Sequence, residues 1–202
     1  MKIVLVRHGY SVGNKKGTYT GWSDVALTEE GIEDLKRYKK EYAYPKTDRY
    51  YSSDLIRAIH TFNILFGDEH ELFEKSEDLR EIYFGNLEDQ LGSDVKINFS
   101  ELWGLNERHE NWETMTEFSY RIISKLEQIL RDLQENNEDS ATIVCHSGVI
   151  KTLLIFLGHR GFLDFKDIPT ENGLGYILDM DYDPKSGKML MNKYSPIEKK
   201  KD

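Results

Sequence analysis

The chain lacks most of what would tie it to a special environment. Of 202 residues one is cysteine, Cys145, so no internal disulfide can form and a reducing compartment fits. Only four are proline and no low-complexity or repeated segment occurs, which excludes a proline-rich linker or a solenoid. Net positive charge is missing: the formal charge is −9. Nucleic acid and anionic membrane surfaces attract clustered cations, so neither is expected as a partner. The one basic cluster, Lys199-Lys200-Lys201, reads as a solvated tail. No apolar run is long enough to span a bilayer, and the first residues enter a strand rather than a leader. The expectation is a cytoplasmic protein. With 39% hydrophobic and 12% aromatic residues, the chain can build a core, and its length suits one domain.

What is present is an alternation of strands and helices. Ile3 to Val6 is an apolar run that reads as a strand buried on both faces. A polar, glycine-bearing stretch, Gly13 to Asp24, follows and is too long for a tight connection. Thr28 precedes Glu29 and Glu30 as a helix cap with acids in the first turn, and Ile32, Leu35, Tyr38 and Tyr42 follow one face. Arg49 to Ser53 reads as a strand. Asp54 is placed to cap the next helix, with Leu55, Ile59, Phe62 and Phe66 inward. Leu72-Phe73 suggests a third, short strand.

From Ile82 to Met115 periodicity is weak and two tryptophans, Trp103 and Trp112, occur. This segment reads as a partly helical insertion covering the site, inside a single domain 1–202. Phe118, Ile122, Leu126, Ile129, Leu130 and Leu133 then mark a clean amphipathic helix ended by Asn136-Asn137. Ala141 to Cys145 is a second buried strand, followed by an apolar helix from Val149 to Leu157. Gly175–Met180 and Lys188–Lys193 flank a hairpin turn signal at Asp183–Gly187. The fold class is α/β, a three-layer sandwich with a mostly parallel central sheet flanked by helices.

Two of the buried strands end in histidine: Arg7-His8-Gly9 after the first and His146-Ser147-Gly148 after the later one. Ligands of open α/β sheets sit beyond the carboxyl ends of parallel strands, so neighbouring strands would bring both histidines to one crevice. Ser147 begins a helix whose N–H groups can face an anion. Arg57 lies in the first turn of the helix after Ser53. Two arginines, two histidines and a helix N-terminus describe a pocket for a phosphoryl dianion. Taken alone, Arg7-His8-Gly9 is equally a plain loop, and Arg57 or Glu81 alone reads first as a surface ion-pair partner. No HExxH motif, paired metal-ligand spacing or P-loop is present.

Arg7-His8-Gly9 with Ser11 and Asn14, then Ser53-x-Leu55-x-Arg57-Ala58, Leu79-x-Glu81, and His146-Ser147-Gly148 together resemble the histidine phosphatase superfamily of phosphoglycerate-mutase-like proteins. Thr20-Gly21-Trp22 through Gly31 looks like that family's mutase-type signature. The resemblance implies that His8 is the nucleophile, that Arg7, Asn14, Arg57, His146 and Ser147 hold the phosphoryl group, and that Glu81 is the acid and base. A cationic His146 would offset charge in the transition state. Thr20, Gly21, Trp22 and Tyr83 become substrate-binding candidates, and no metal or cofactor is needed.

The implied activity is a metal-independent phosphomonoester hydrolase acting on a small phosphorylated metabolite, as a monomer or homodimer. The cofactor-dependent glycolytic mutases carry basic residues in the insertion, whereas Ile82 to Glu107 holds only Lys96 against Glu88, Asp89, Asp94, Glu101 and Glu107. A mutase or related phosphotransferase is the alternative; a non-catalytic phosphate-binding regulatory module is a third. Ser147, where the acid-phosphatase branch has Asp, argues against that branch. Cys145, inside its strand, reads as a core residue, and His60, His70, His109 and His159 read as structural or surface groups.

Overall fold

The computed structural model describes residues 1–95, 106–108, 111–158, 165 and 167–201. Six strands form one sheet: β1 (Lys2–Arg7), β2 (Arg49–Ser53), β3 (Glu74–Ser76), β4 (Ser140–Cys145), β5 (Gly175–Asp183) and β6 (Lys188–Pro196), in the order β3-β2-β4-β1-β5-β6. The first four are mutually parallel, and β5 and β6 run antiparallel at one edge. The helices are α1 (Val12–Lys16), α2 (Glu29–Glu41), α3 (Ile56–Leu65), α4 (Met115–Glu135) and α5 (Ser147–Leu157).

Strand alternation sorts the core into two layers. Ile3, Leu5, Tyr51, Ile143 and Cys145 pack with the apolar faces of α4 and α5. Val4, Val6, Tyr50 and Val144 face the other way, with Leu35 of α2 and Ala58 and Phe62 of α3. This is the three-layer α/β sandwich. All six apolar positions read along α4 are buried, from Phe118 to Leu133.

Local departures have local causes. The stretch after β1 contains α1, closed by a capping box in which Ser11 and Asn14 exchange hydrogen bonds, and ended by Gly17 at φ 68°. Asp54 does not cap α3; Leu55 occupies that position and Asp54 instead makes a two-pronged ion pair with Arg80. The third strand is Glu74–Ser76, paired with Tyr51–Ser53, rather than Leu72-Phe73; the Phe73 amide donates to the Tyr50 carbonyl at 2.8 Å just ahead of that ladder. The end of the chain is pinned: the Ala43 amide donates to Glu198 and the Lys200 amide to Glu41. Of the 82–115 segment, the described part holds a short 3-10 turn at Gly85–Leu87; Lys96, Glu101, Trp103 and His109 lie outside the described residues, as does His159.

Among the described residues no helix is long and apolar enough to cross a membrane.

Candidate active site

The register of β1 on β4 builds the centre of the site. Arg7 pairs with Cys145, and the His8 amide donates to the Cys145 carbonyl at 2.9 Å. Each strand therefore releases its histidine at the same level, and the two rings lie 5.1 Å apart, tilted by 57°. His146 is the N-cap residue of α5 and is fully buried; His8 is 5% exposed.

His8 Nδ1 lies 2.7 Å from the Gly9 carbonyl oxygen. A carbonyl only accepts, so Nδ1 carries the hydrogen and Nε2 keeps a lone pair. Burial, then the positive charges of Arg57 and Arg7, hold the imidazole well below its ordinary pKa; the Gly9 bond opposes this without prevailing. His8 is thus neutral near pH 7. His146 is lowered in the same way, by burial first and then by Arg57, His8 and Arg7. In the ligand-free site, beside two guanidiniums, the His146 ring is neutral, and an incoming anion would favour its protonation.

Arg57 is 1% exposed. Its Nη1 donates to the Ser23 carbonyl at 2.8 Å, and its Nη2 to those of Gly21 at 2.7 Å and Thr20 at 3.2 Å. Thr20 and Gly21 enter the site this way, through backbone oxygens that orient the arginine. Arg7 is anchored by Nη1 donating to the Thr170 carbonyl at 2.5 Å. Its Nε, and both ring nitrogens of His146, are buried without a hydrogen-bond partner among the described residues. Unpartnered buried polar groups are costly; a phosphoryl oxygen would accept from Arg7 Nε and from the one N–H of the neutral His146 ring, and from both ring nitrogens once the ring is protonated.

Glu81 receives the Gly148 amide on Oε2 at 2.9 Å and its own neighbour Ile82 on Oε1 at 3.1 Å, so its carboxylate rests on the first turn of α5. Gly148 is required by this approach: a Cβ there would come within 2.0 Å of Glu81 Oε1. Asn14 Oδ1 accepts from the Ser11 amide, the Ser11 hydroxyl and Asn172 Nδ2 at 3.0–3.1 Å, which leaves its own amide hydrogens for a ligand. The Ser147 hydroxyl is 2.6 Å from the Thr170 hydroxyl. Trp22 donates from its indole to the Glu81 carbonyl at 2.9 Å and lies against Tyr83, with Arg80 and Arg121 over its ring. Trp22 and Tyr83 therefore brace the segment that carries Glu81.

Several residues at the site have no sequence signal. Asn172 donates to the His8 carbonyl at 2.9 Å, and Thr61 accepts the Gly9 amide at 2.8 Å. The Glu88 carboxylate takes the amides of Gly21, Trp22, Ser23 and Phe84 at 2.9–3.0 Å. Arg121 pairs with Glu113 through two bonds and reaches the Asp78 and Arg80 carbonyls. Cys145 is buried, which pushes its thiol pKa up and keeps it protonated. His70 stacks on Tyr50 at 4.4 Å, away from the site. Among the described residues no group of three or more His, Cys, Asp or Glu side chains is placed to hold a metal ion.

The model of the histidine phosphatase superfamily (branch 1) matches residues 3–192. The chain belongs to that superfamily. A 2,3-bisphosphoglycerate-dependent phosphoglycerate mutase of Haemophilus influenzae is 39% identical over 93 residues, which are 44% of this chain and 41% of the relative. The chain thus matches about two fifths of the length of such curated relatives. Among solved structures, a phosphoglycerate mutase from Thermus thermophilus is 28% identical, with 90% of this chain and 94% of the other covered and a TM-score of 0.67. One from Bacillus anthracis shares the fold at 22% identity and a TM-score of 0.73, over 88% and 87% of the two chains. The superfamily acts on small phosphorylated substrates.

The lowered histidines predict a pH dependence of stability. Unfolded imidazoles titrate near 6.5, whereas His8 and His146 in the fold titrate well below it. Between those values the unfolded chain binds more protons. Stability therefore falls as pH drops below about 6.5, by up to ~1.4 kcal/mol per pH unit for each histidine. Denaturant midpoints at pH 7.5 and 5.5 should differ in that direction, and inorganic phosphate should shrink the difference. A His146→Gln variant should show a shallower drop; an unchanged slope would refute the assignment.

Proposed function

We propose that the protein is a metal-independent phosphomonoester hydrolase working through a phosphohistidine at His8. The observation that carries this reading is a neutral His8 with its Nε2 lone pair free, close enough to the Arg57 and Arg7 guanidiniums to feel their charge and with its ring centre 5.1 Å from that of His146. The guanidiniums of Arg7 and Arg57 complement a dianion, while the carboxylates of Glu81, Asp24 and Glu88 also act on Arg57.

In the first step Nε2 of His8 attacks phosphorus and the ester P–O bond breaks. Glu81 in its acid form gives a proton to the departing alkoxide. In the second step water attacks the phosphohistidine, Glu81 takes the water proton, and the P–N electrons return to His8. Arg7, Arg57, His146, Asn14 and the start of α5 at Ser147 hold the phosphoryl oxygens as charge spreads over them. Placed acid-base help of this kind contributes roughly 10²–10⁴-fold. Thr20, Gly21, Trp22 and Tyr83 serve by orienting Arg57 and Glu81.

The mutase reading is supported by the Thr20–Gly31 stretch and by the names of similar proteins. A mutase must bind a substrate carboxylate and a second phosphate, and the Ile82–Glu107 segment has one basic residue against five acidic ones. A panel of phosphomonoesters separates the two. Release of inorganic phosphate from several esters, without need of a bisphosphate, is expected. Conversion of 3-phosphoglycerate to its 2-isomer, stimulated by 2,3-bisphosphoglycerate and faster than any hydrolysis, would overturn the hydrolase. Binding of phosphate with no turnover would favour a regulatory module.

A further inference from the structure

We propose that the cavity between Glu81 and α4 is the leaving-group subsite, and that it takes a compact apolar alcohol or phenol. This rests on the hydrolase reading. The cavity measures about 170 Å³ and is walled by Ile82, Phe84, Met115, Phe118 and Phe165. Its polar side is formed by Glu81 with Ser147 and Gly148 at the start of α5.

The position follows from the chemistry. The ester oxygen that departs must lie beside the acid that protonates it. The carbon skeleton attached to that oxygen then continues past Glu81, away from the phosphoryl group at His8. The space on that side is this cavity. Its walls come from three separate segments: the residues after Glu81, the first turns of α4, and the described residue Phe165 beyond α5.

The wall chemistry selects the class. Five apolar side chains, three of them aromatic, reward contact with carbon, and polar side chains are confined to Glu81 and Ser147 at one side among the described lining. No arginine, lysine or histidine lines the cavity among the described residues. Lys151 lies outside it, with its ammonium 5.1 Å from the Phe165 ring centre. A glycerate or sugar skeleton would meet five apolar walls here, with only Glu81 and Ser147 to replace the water its hydroxyls lose. The volume suits a small ring, because an apolar cavity of about 150 Å³ is enough to hold benzene.

The test compares esters whose alcohols have similar basicity, so that the pocket and not the leaving-group chemistry decides. Benzyl phosphate, ethyl phosphate and glycerol 3-phosphate are assayed for kcat/KM with wild type. Benzyl phosphate is expected to exceed glycerol 3-phosphate by about 100-fold. Met115→Lys should collapse the benzyl-to-ethyl ratio towards one. Should that variant fail to fold, Phe165→Ser at the half-buried wall should lower the same ratio several-fold. Equal values for the three esters, or a preference for glycerol 3-phosphate, with His8-dependent turnover intact, would overturn the subsite and leave the hydrolase standing. Absence of turnover on every ester would overturn both.

Discussion

Replacing His8 with alanine should lower kcat by about 10⁴–10⁶-fold, the scale seen when a covalent nucleophile is removed from a site whose other groups remain. The side chain makes one hydrogen bond, to the Gly9 carbonyl, and its loss leaves α1 and the β1–β4 register untouched. The variant should therefore fold and still bind inorganic phosphate through Arg7, Arg57 and His146. Brief mixing of wild type with labelled substrate, followed by an alkaline quench, should trap label on the protein, since phosphohistidine survives base and is lost in acid. The alanine variant should trap none. Label found on another residue, or activity within tenfold of wild type, would sink the mechanism.

Arg57→Lys carries the second large effect, and it combines function with folding. The guanidinium satisfies three backbone carbonyls, those of Thr20, Gly21 and Ser23, while nearly sealed from solvent. An ammonium is a shorter point donor and cannot match that fork. Each carbonyl left unsatisfied costs about 1–3 kcal/mol, so a loss of a few kcal/mol in denaturant unfolding is expected. Loss of a preorganised donor to the phosphoryl oxygens should also lower kcat/KM about 10²–10³-fold. Phosphate should protect wild type against denaturant more than the variant. A lysine variant with wild-type stability and wild-type kcat/KM would remove Arg57 from the site.

The strands and the helix faces were legible because they rest on periodicity. Ile3 to Val6 is an uninterrupted apolar run and Ala141 to Cys145 is broken only by Thr142, and both strands are buried between helices on two faces. The site followed from those runs, since a residue just past a buried parallel strand has one place to be. Arg57 and Glu81 gained meaning only beside His8 and His146. The sequence reading went wrong where two polar partners compete. Asp54 has the composition of a helix cap, yet the Arg80 guanidinium offers it two charge-assisted bonds. The five-residue α1 was hidden in a glycine-bearing stretch because a helix so short has no periodic face.

The supporting residues were illegible for a different reason. Asn172 lies 164 positions from His8, and Glu88 lies 65–67 from the three amides it holds near Trp22. A lone asparagine or glutamate in a loop carries no pattern. Its role exists only after the sheet has brought distant segments together. The charge of the insertion was readable, but its apolar wall was not, since Ile82, Phe84 and Met115 have no common spacing.

The grip of Glu88 also bears on when the site comes into being. Its carboxylate fastens the loop that orients Arg57 to the segment that follows Glu81, and Glu81 in turn rests on α5. Every one of these links closes a chain segment of more than sixty residues, apart from the short hop to Phe84. Closing such loops costs entropy before any contact repays it, which defers them to late in folding. A nascent chain can therefore form β1, β2 and their helices while still blind to phosphate. Recognition arrives as a single late event, once residues 81–88 and 146–148 have both docked, so that a half-made protein has no half-made site to expose.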